Sequence, residues 1–290
     1  MKPAPFAYAA PKSVEEAAAL LAAHGGDARL LAGGQSLVPM LNFRLLEPAL
    51  LIDINRIAGL DGIAEIAGGL RLGALVRHRA LETSPLVARR FPIIASAMAE
   101  VAHLAIRNRG TIGGSLAHSD PAAELPLLLV TLGGSVQARS VRGERTIAAD
   151  DLFDGFLMTT LEHDELLTSA HFPALEPGTG WSFQEFSRRS GDFGIVSAAV
   201  TLRVSDGVCS DARIGLGGVA GTPVRLRETE SALIGARLDA ASMDEAARAA
   251  AAILDPPNDL HGTSAYRRHL ATTLLKRGLS EALERVGTGS

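Results

Sequence analysis

Cysteine is nearly absent from this chain of 290 residues: Cys209 stands alone. No internal disulfide can form, and the chain's own thiols cannot ligate an iron–sulfur cluster. Long apolar runs are lacking too. No stretch reaches the roughly eighteen residues that a membrane helix requires, and the N-terminal MKPAPFAYAAPKS has no apolar core followed by a small-residue cleavage site. A soluble, cytoplasmic protein without an integral membrane segment is therefore expected. No dense Lys/Arg run appears, and 28 basic against 32 acidic residues leave a formal charge of −4, so no nucleic-acid surface is indicated. The eight histidines show no HExxH or other close ligand spacing, and no metal site is expected. GxxxxGK[ST] is missing, which excludes a P-loop, and there are no tandem repeats. Any redox chemistry must use an organic cofactor or a metal held by another chain.

What is present is ample core-forming material, with 47% hydrophobic and 21% charged residues, enough for two or three domains. Residues 1–56 read as a small βαβ-type unit. Phe6–Tyr8, Arg29–Leu31 and Leu50–Ile54 are the strands, and helices run from Val14 after an N-cap at Ser13 and over Val38–Leu46. Residues 57–175 open with a hairpin, Ile63–Ile66 and Leu70–Leu72, turning at Gly68-Gly69. Helices over His78–Glu82, Leu86–Arg90 and Pro92–Val101 follow. A helix with Pro121 near its start then runs through Glu124–Leu132 to Gly133-Gly134, and strands near Ser135–Ala138 and Glu165–Phe172 finish the unit. PALEPGTG, from Pro173 to Gly180, is the best linker. Residues 176–290 carry strands at Ser182–Ser187, Ile195–Val204 and Val208–Gly215, then helices at Thr229–Ile234, Met243–Leu254 and Ser264–Lys276. Leu283–Ser290 is expected to fray. The fold class is α+β.

Two segments place a Gly pair and a hydroxyl residue between an apolar run and a helix: LLAGGQSLVPML (Leu30–Leu41) and RGTIGGSLAHSDPAAELP (Arg109–Pro126). Glycine permits positive φ and lets a ligand approach without a Cβ in the way. Successive amides in such a turn form an anion-binding nest, to which Gln35, Ser36 and Ser115 add donors. Two facing loops of this kind would clamp a pyrophosphate without lysine or magnesium, as a dinucleotide requires. Taken singly, each pair is far more often an ordinary turn than a phosphate site, and other Gly-Gly pairs occur in the chain.

AGGQS (Ala32–Ser36) and TIGGS (Thr111–Ser115) resemble the paired FAD pyrophosphate motifs of the medium, flavoprotein subunit of carbon monoxide dehydrogenase and of related molybdenum hydroxylases, including xanthine dehydrogenases. The resemblance extends over LIDINRI (Leu51–Ile57), SRRSGDFGIVSAAV (Ser187–Val200), GLGGVAGTPVR and the terminal YRRHLATTLLKR. It implies a two-domain FAD-binding fold followed by an α+β C-terminal domain with antiparallel sheet and helices. It implies cofactor contacts at Leu31, Ala32, Gly33, Gly34, Gln35, Ser36, Gly110, Thr111, Ile112, Gly113, Gly114, Ser115 and Ala117. Asp120 and Glu124 would contact sugar, ribityl or nearby backbone, and Leu161 and Leu167 would be apolar flanks, although plain core packing accounts for both leucines equally well. Phe193 either stacks on or gates the isoalloxazine, or is a core residue at a strand edge. Where many relatives carry a lysine before the GDF stretch this chain has Ser187-Arg188-Arg189, and either arginine could supply the cation. No catalytic residue is implied in this chain. Its implied partners are a large subunit with the molybdenum cofactor and a small subunit with two [2Fe–2S] clusters, in a dimer of heterotrimers.

Other patterns carry less. Gly215-x-Gly217-x-x-Ala220 has the form of a Rossmann fingerprint, but Thr222-Pro223 stands where the helix should continue. His118, Ser119 and Asp120 are adjacent, whereas a catalytic triad converges from separate positions. Cys209 reads as a buried bystander. Two other functions remain compatible with the sequence: a self-sufficient flavoenzyme of the same fold, and a scaffold that has lost its cofactor.

Overall fold

Apolar runs of three or four residues, each stopped by Gly, Pro or Asp, build the N-terminal unit from short strands and helices. The computed structural model describes residues 2–287. β1 (Ala7–Ala9) leads to α1 (Val14–His24), which starts where Ser13 Oγ accepts from the Glu16 amide at 3.1 Å. β2 (Ala28–Leu31), α2 (Leu37–Asn42) and β3 (Leu50–Asp53) follow. The three strands are parallel, in the order β1-β3-β2. Ala17, Ala18 and Leu21 of α1 pack with Ala28, Leu50 and Ile52 in one apolar cluster. This order brings the carboxyl ends of β2 and β3 side by side, where parallel sheets present their ligand loops.

The second unit begins with the hairpin β4 (Ile63–Ile66) and β5 (Gly69–Gly73). Its helices are α3 (His78–Thr83), α4 (Pro85–Arg90), α5 (Pro92–Glu100), α6 (Leu104–Arg107), α7 (Ile112–His118) and α8 (Glu124–Leu132). Then come β6 (Ser135–Ser140), β7 (Gly143–Ala148), α9 (Ala149–Leu152), the ribbon β8 (Phe153–Gly155) and β9 (Met158–Thr159), and β10 (Leu166–Pro173). The antiparallel sheet runs β4-β5-β10-β6-β7. Every residue of α8 from Leu125 to Leu132 is buried, as expected of a helix apolar on all sides. Gly133 ends it in the left-handed conformation (φ 69°), which only glycine adopts without penalty.

The third unit holds β11 (Gly180–Phe186), β12 (Val196–Ser205), β13 (Val208–Gly217) and β14 (Val224–Arg225), an antiparallel sheet in sequence order. α10 (Arg227–Leu233), α11 (Ala240–Ala252) and α12 (Ser264–Glu284) follow, and α11 and α12 share an apolar cluster with β12 and β13. The α8 helix also packs on this sheet: an added Cβ at Gly215 would meet Thr131 Oγ1 at 2.0 Å. Gly218 donates to the Pro121 carbonyl at 2.9 Å, so the third unit is fastened to the turn that begins α8.

Several expected elements are revised. Gly113-Gly114 lies inside α7, not in a loop, and what precedes it is the helical turn α6, not a strand. Thr111 caps α7, its Oγ1 accepting from the Gly114 amide at 3.1 Å; the Gly pair survives in a helix because packing outweighs its propensity cost. Pro121 stays outside α8, in a turn where the Ala123 amide donates to Asp120 O. The second expected helix ends at Asn42, before Arg44 with φ 54°. The last helix continues past Lys276 through Leu283 to Glu284 because Leu279 and Ala282 are buried against the third sheet; residues 288–290 of the expected frayed tail lie outside the described residues. Cys209 is buried in β13. Among the described residues no helix is long and apolar enough to cross a membrane.

Candidate functional site

A cleft of about 780 Å³ opens between the first and second units, within the roughly 300–1,000 Å³ of typical ligand sites. The segment after β2 forms one wall. Gly34 takes φ 74°, a conformation that a Cβ would strain. Gln35 Nε2 donates back to the Gly33 carbonyl at 3.0 Å. The backbone amides of Gly33, Gly34, Gln35 and Ser36 meet no acceptor among the described residues, and these residues line the cleft. Unspent amides on a concave turn suit an anion.

The facing wall is made by Gly110, Thr111, Gly113, Gly114, Ser115 and Ala117. Its amides are mostly spent on the scaffold. Ile112 donates to Val76 O at 3.0 Å, Gly113 to Ala74 O at 2.9 Å, and Gly114 to Thr111 Oγ1. The nest expected here is thus confined to the first loop. Gly113 is a packing glycine, since an added Cβ would sit 2.6 Å from Ala74 Cβ. Gly114 lies opposite Ala32, whose Cβ would be 3.9 Å from an added one. The hydroxyl of Ser115 remains to face the cleft.

The two walls touch. A Cβ on Gly33 would lie 2.3 Å from Arg109 O and 2.9 Å from Gly110 Cα. The contact is held from behind by a polar chain that no motif in the sequence marks. Tyr8 Oη donates to Asp53 Oδ2 at 2.6 Å, and Asn55 Nδ2 donates to Asp53 Oδ1 and, at 2.8 Å, to Ala32 O. Arg77 donates to Asn55 Oδ1 at 2.7 Å and to the Arg109 carbonyl. Burial opposes ionisation of Asp53, but the bonds from Tyr8 and Asn55 outweigh it and hold its carboxyl below the usual range. Burial first, and then the neighbouring Arg109, lowers the pKa of Arg77.

Asp120, Glu124, Leu167 and Phe193 also line the cleft, Phe193 at its mouth with 72% of its surface exposed. That exposure removes the reading of Phe193 as a core residue. Leu31, Ile112 and Leu161 do not line it; Ile112 is fully buried and Leu161 packs on the central core. Sequence reasoning missed His78 of α3, His103 before α6, Leu157 between β8 and β9, and His163 and Glu165 in the connection before β10, all of which line the cleft. His78 lies under Gly110, with ring atoms 2.9 Å from the position of an added Cβ. Burial pushes its pKa down to about 4, with Arg107 and Arg77 acting the same way against the Thr111 backbone, so the ring is neutral at pH 7. Glu165 is held ionised by Arg145, whose Nε donates at 2.6 Å. Among the described residues no cluster of His, Cys, Asp or Glu could hold a metal.

A cleft with unspent amides at one wall, glycines where backbone must come close, hydroxyls opposite and apolar side chains beyond fits a dinucleotide. Comparison with known proteins agrees. Residues 4–175 match the family described as the FAD binding domain in molybdopterin dehydrogenase, and residues 181–282 match the CO dehydrogenase flavoprotein C-terminal domain. The chain is 45% identical over 286 residues to the 6-hydroxypseudooxynicotine dehydrogenase complex subunit alpha of Paenarthrobacter nicotinovorans, covering 98% of this chain and 97% of that one. It is 41% identical to the carbon monoxide dehydrogenase medium chain of Hydrogenophaga pseudoflava, covering 98% and 99%. Its fold superposes on the solved carbon monoxide dehydrogenase of Hydrogenophaga pseudoflava with a TM-score of 0.96 at 42% identity, covering 99% of this chain and 100% of that one. With its paired glycine walls and these relatives along its whole length, the chain belongs to the FAD-binding medium-subunit family of the molybdenum hydroxylases.

Proposed function

We propose that the chain holds FAD between its first two units and relays electrons from iron–sulfur clusters in a small partner subunit to an external acceptor. The molybdenum cofactor and the substrate site lie in a large partner subunit, and the whole is a cytoplasmic dimer of heterotrimers. Substrate choice then belongs to the large subunit and not to this chain. The observation that carries the reading is the meeting of Gly33 with Arg109 and Gly110, which sets the unspent amides of one wall against the hydroxyls of the other.

Bound there, the flavin supplies two-electron and one-electron redox chemistry; this chain supplies binding and electrostatics. The Gly33–Ser36 amides would hold the pyrophosphate, with the hydroxyls of Ser36, Thr111 and Ser115 as further donors. Asp120 and Glu124 would supply polar contacts to the sugar, the ribityl chain or nearby backbone, and Leu167 an apolar surface. Phe193, exposed at the mouth, would stack on the ring or gate it. The single cysteine supports the division of labour, because the clusters must sit elsewhere.

The test is the visible spectrum of the chain co-expressed with its two partners, before and after acid precipitation. Flavin bands that pass into the supernatant and are identified as FAD are expected. A colourless assembly that takes up no added FAD refutes the reading and favours a cofactor-free scaffold. Flavin retained and turned over by the chain alone with its own substrate favours the self-sufficient enzyme.

A further inference from the structure

Glu185 on β11 points its carboxyl at Gly194, where an added Cβ would stand 2.8 Å from the carboxyl carbon. Its Oε2 is buried and has no hydrogen-bond partner among the described residues. Glu185 pairs with Ser197 of β12 and Ser197 with Gly217 of β13, where an added Cβ would meet Ser197 Oγ at 2.5 Å and the Pro121 carbonyl at 3.3 Å; this row thus runs to the turn before α8, whose first residue, Glu124, lines the cleft. The negative charges of Glu124 and of Glu100, at the end of α5, act on Glu185, and those of Asp120, in the turn before α8, and Glu100 act on Glu124. The charges acting on the pair are thus acidic. His103, on the cleft wall, packs its ring on Gly191 of the segment that covers Glu185.

A buried carboxylate with neither cation nor donor is costly, and such a group takes up a proton instead. Burial, followed by the charges of Glu124 and Glu100, pushes the Glu185 carboxyl well up, and burial pushes Glu124 up against the hydrogen bond from its own backbone amide. Two carboxyls so placed titrate jointly, and the proton belongs to the pair.

We infer that Glu124 and Glu185 are a charge-compensating pair that shares a proton and takes up another from solvent when negative charge enters the cleft. This rests on the FAD reading. Electrons from iron–sulfur clusters arrive without protons, so negative charge builds beside the pair until a proton follows. The pair gains one proton from water, no bond to carbon changes, and the added charge is partly neutralised where the dielectric is low. Glu185 acts through Glu124 and is a positioning residue: it keeps the cleft-lining carboxyl in proton exchange.

The test is the midpoint potential of FAD on the full chain, followed by spectroelectrochemistry between pH 6 and 10, in wild type and Glu185→Gln. Glutamine matches the shape of the protonated acid. Over the part of that range in which the pair gains its second proton on reduction, wild type is expected to show a steeper slope than the variant, by up to about 30 mV per pH unit for one extra proton in a two-electron couple. Equal slopes with flavin bound overturn the inference and leave the FAD reading standing. An independent readout needs no flavin. Infrared difference spectra of the FAD-free chain are expected to show a carboxylic-acid carbonyl band at pH 7 that is weaker in Glu185→Gln and fades at high pH; no such band overturns the inference. Failure of both chain and assembly to bind FAD overturns inference and reading together.

Discussion

Replacing Gly33 by alanine tests the site at its narrowest point. Gly33 is not in the left-handed region, so alanine adds no backbone strain there, and the effect is purely steric. The new Cβ would fall 2.3 Å from Arg109 O, 2.9 Å from Arg109 C and 2.9 Å from Gly110 Cα. All three are backbone atoms that cannot rotate away. To restore even a close contact the walls must part by about 0.7 Å or more, since 3.0 − 2.3 = 0.7. A clamp that wide loses about two amide–phosphate hydrogen bonds. At about 1.5 kcal/mol each for bonds to a charged group, the loss is about 3 kcal/mol, or roughly a hundredfold in FAD affinity. The assay is titration of the FAD-free chain with FAD, followed by quenching of flavin fluorescence. Thermal unfolding of the same samples shows whether the fold survives. Gly62→Ala is the control, because an added Cβ there meets nothing within 4 Å. Wild-type affinity in Gly33→Ala would refute the argument that contact between the walls sets the site.

Three further perturbations address other parts of the structure. Asn55→Ala removes the bond to Ala32 O and the acceptor for Arg77; a loss of about 1 kcal/mol should weaken FAD about fivefold, while Asn55→Asp, which keeps the acceptor, should fall between the two. His78 is held neutral, with its pKa lowered from 6.5 to about 4. The stability this contributes is full above pH 6.5 and is lost as pH falls through that window, by about 2.5 kcal/mol at pH 4.5. Urea midpoints at pH 7 and 4.5 should therefore differ less in His78→Gln than in wild type. Arg267 is 4% exposed and donates to the carbonyls of Ile195 and Gly218 and to Asp259. In Arg267→Met those carbonyls lose their donor, and calorimetry should show a loss of about 3 kcal/mol, roughly 6–12 °C in Tm.

The sequence announces what local chemistry decides. Ser13 caps a helix beginning at Val14, Gly68-Gly69 turns a hairpin, and Gly133 stops α8, because each effect acts within a few residues. β7 escaped notice because GERTIA is a largely exposed edge strand with only Ile147 buried. Gly113-Gly114 looked like a loop because intrinsic preference says so, whereas Ala74 beneath Gly113 leaves room only for glycine. The first cleft wall was legible in AGGQS. The brace behind it was not: Asn55 and Arg77 are 22 positions apart and carry no motif that pairs them. Glu185 was equally silent, since a glutamate on a strand reads as solvent-facing until Gly194 is seen to cover it.

The brace from Tyr8 through Asp53, Asn55 and Arg77 to Arg109 touches both walls yet lies outside the cleft. All of its bonds run between groups of the protein itself, and none of its members lines the cleft. It works as a hinge pin does between two leaves: the spacing of the walls is set by residues that never meet what the walls enclose. A change in the brace therefore reaches the site as a change of gap and not as a lost contact.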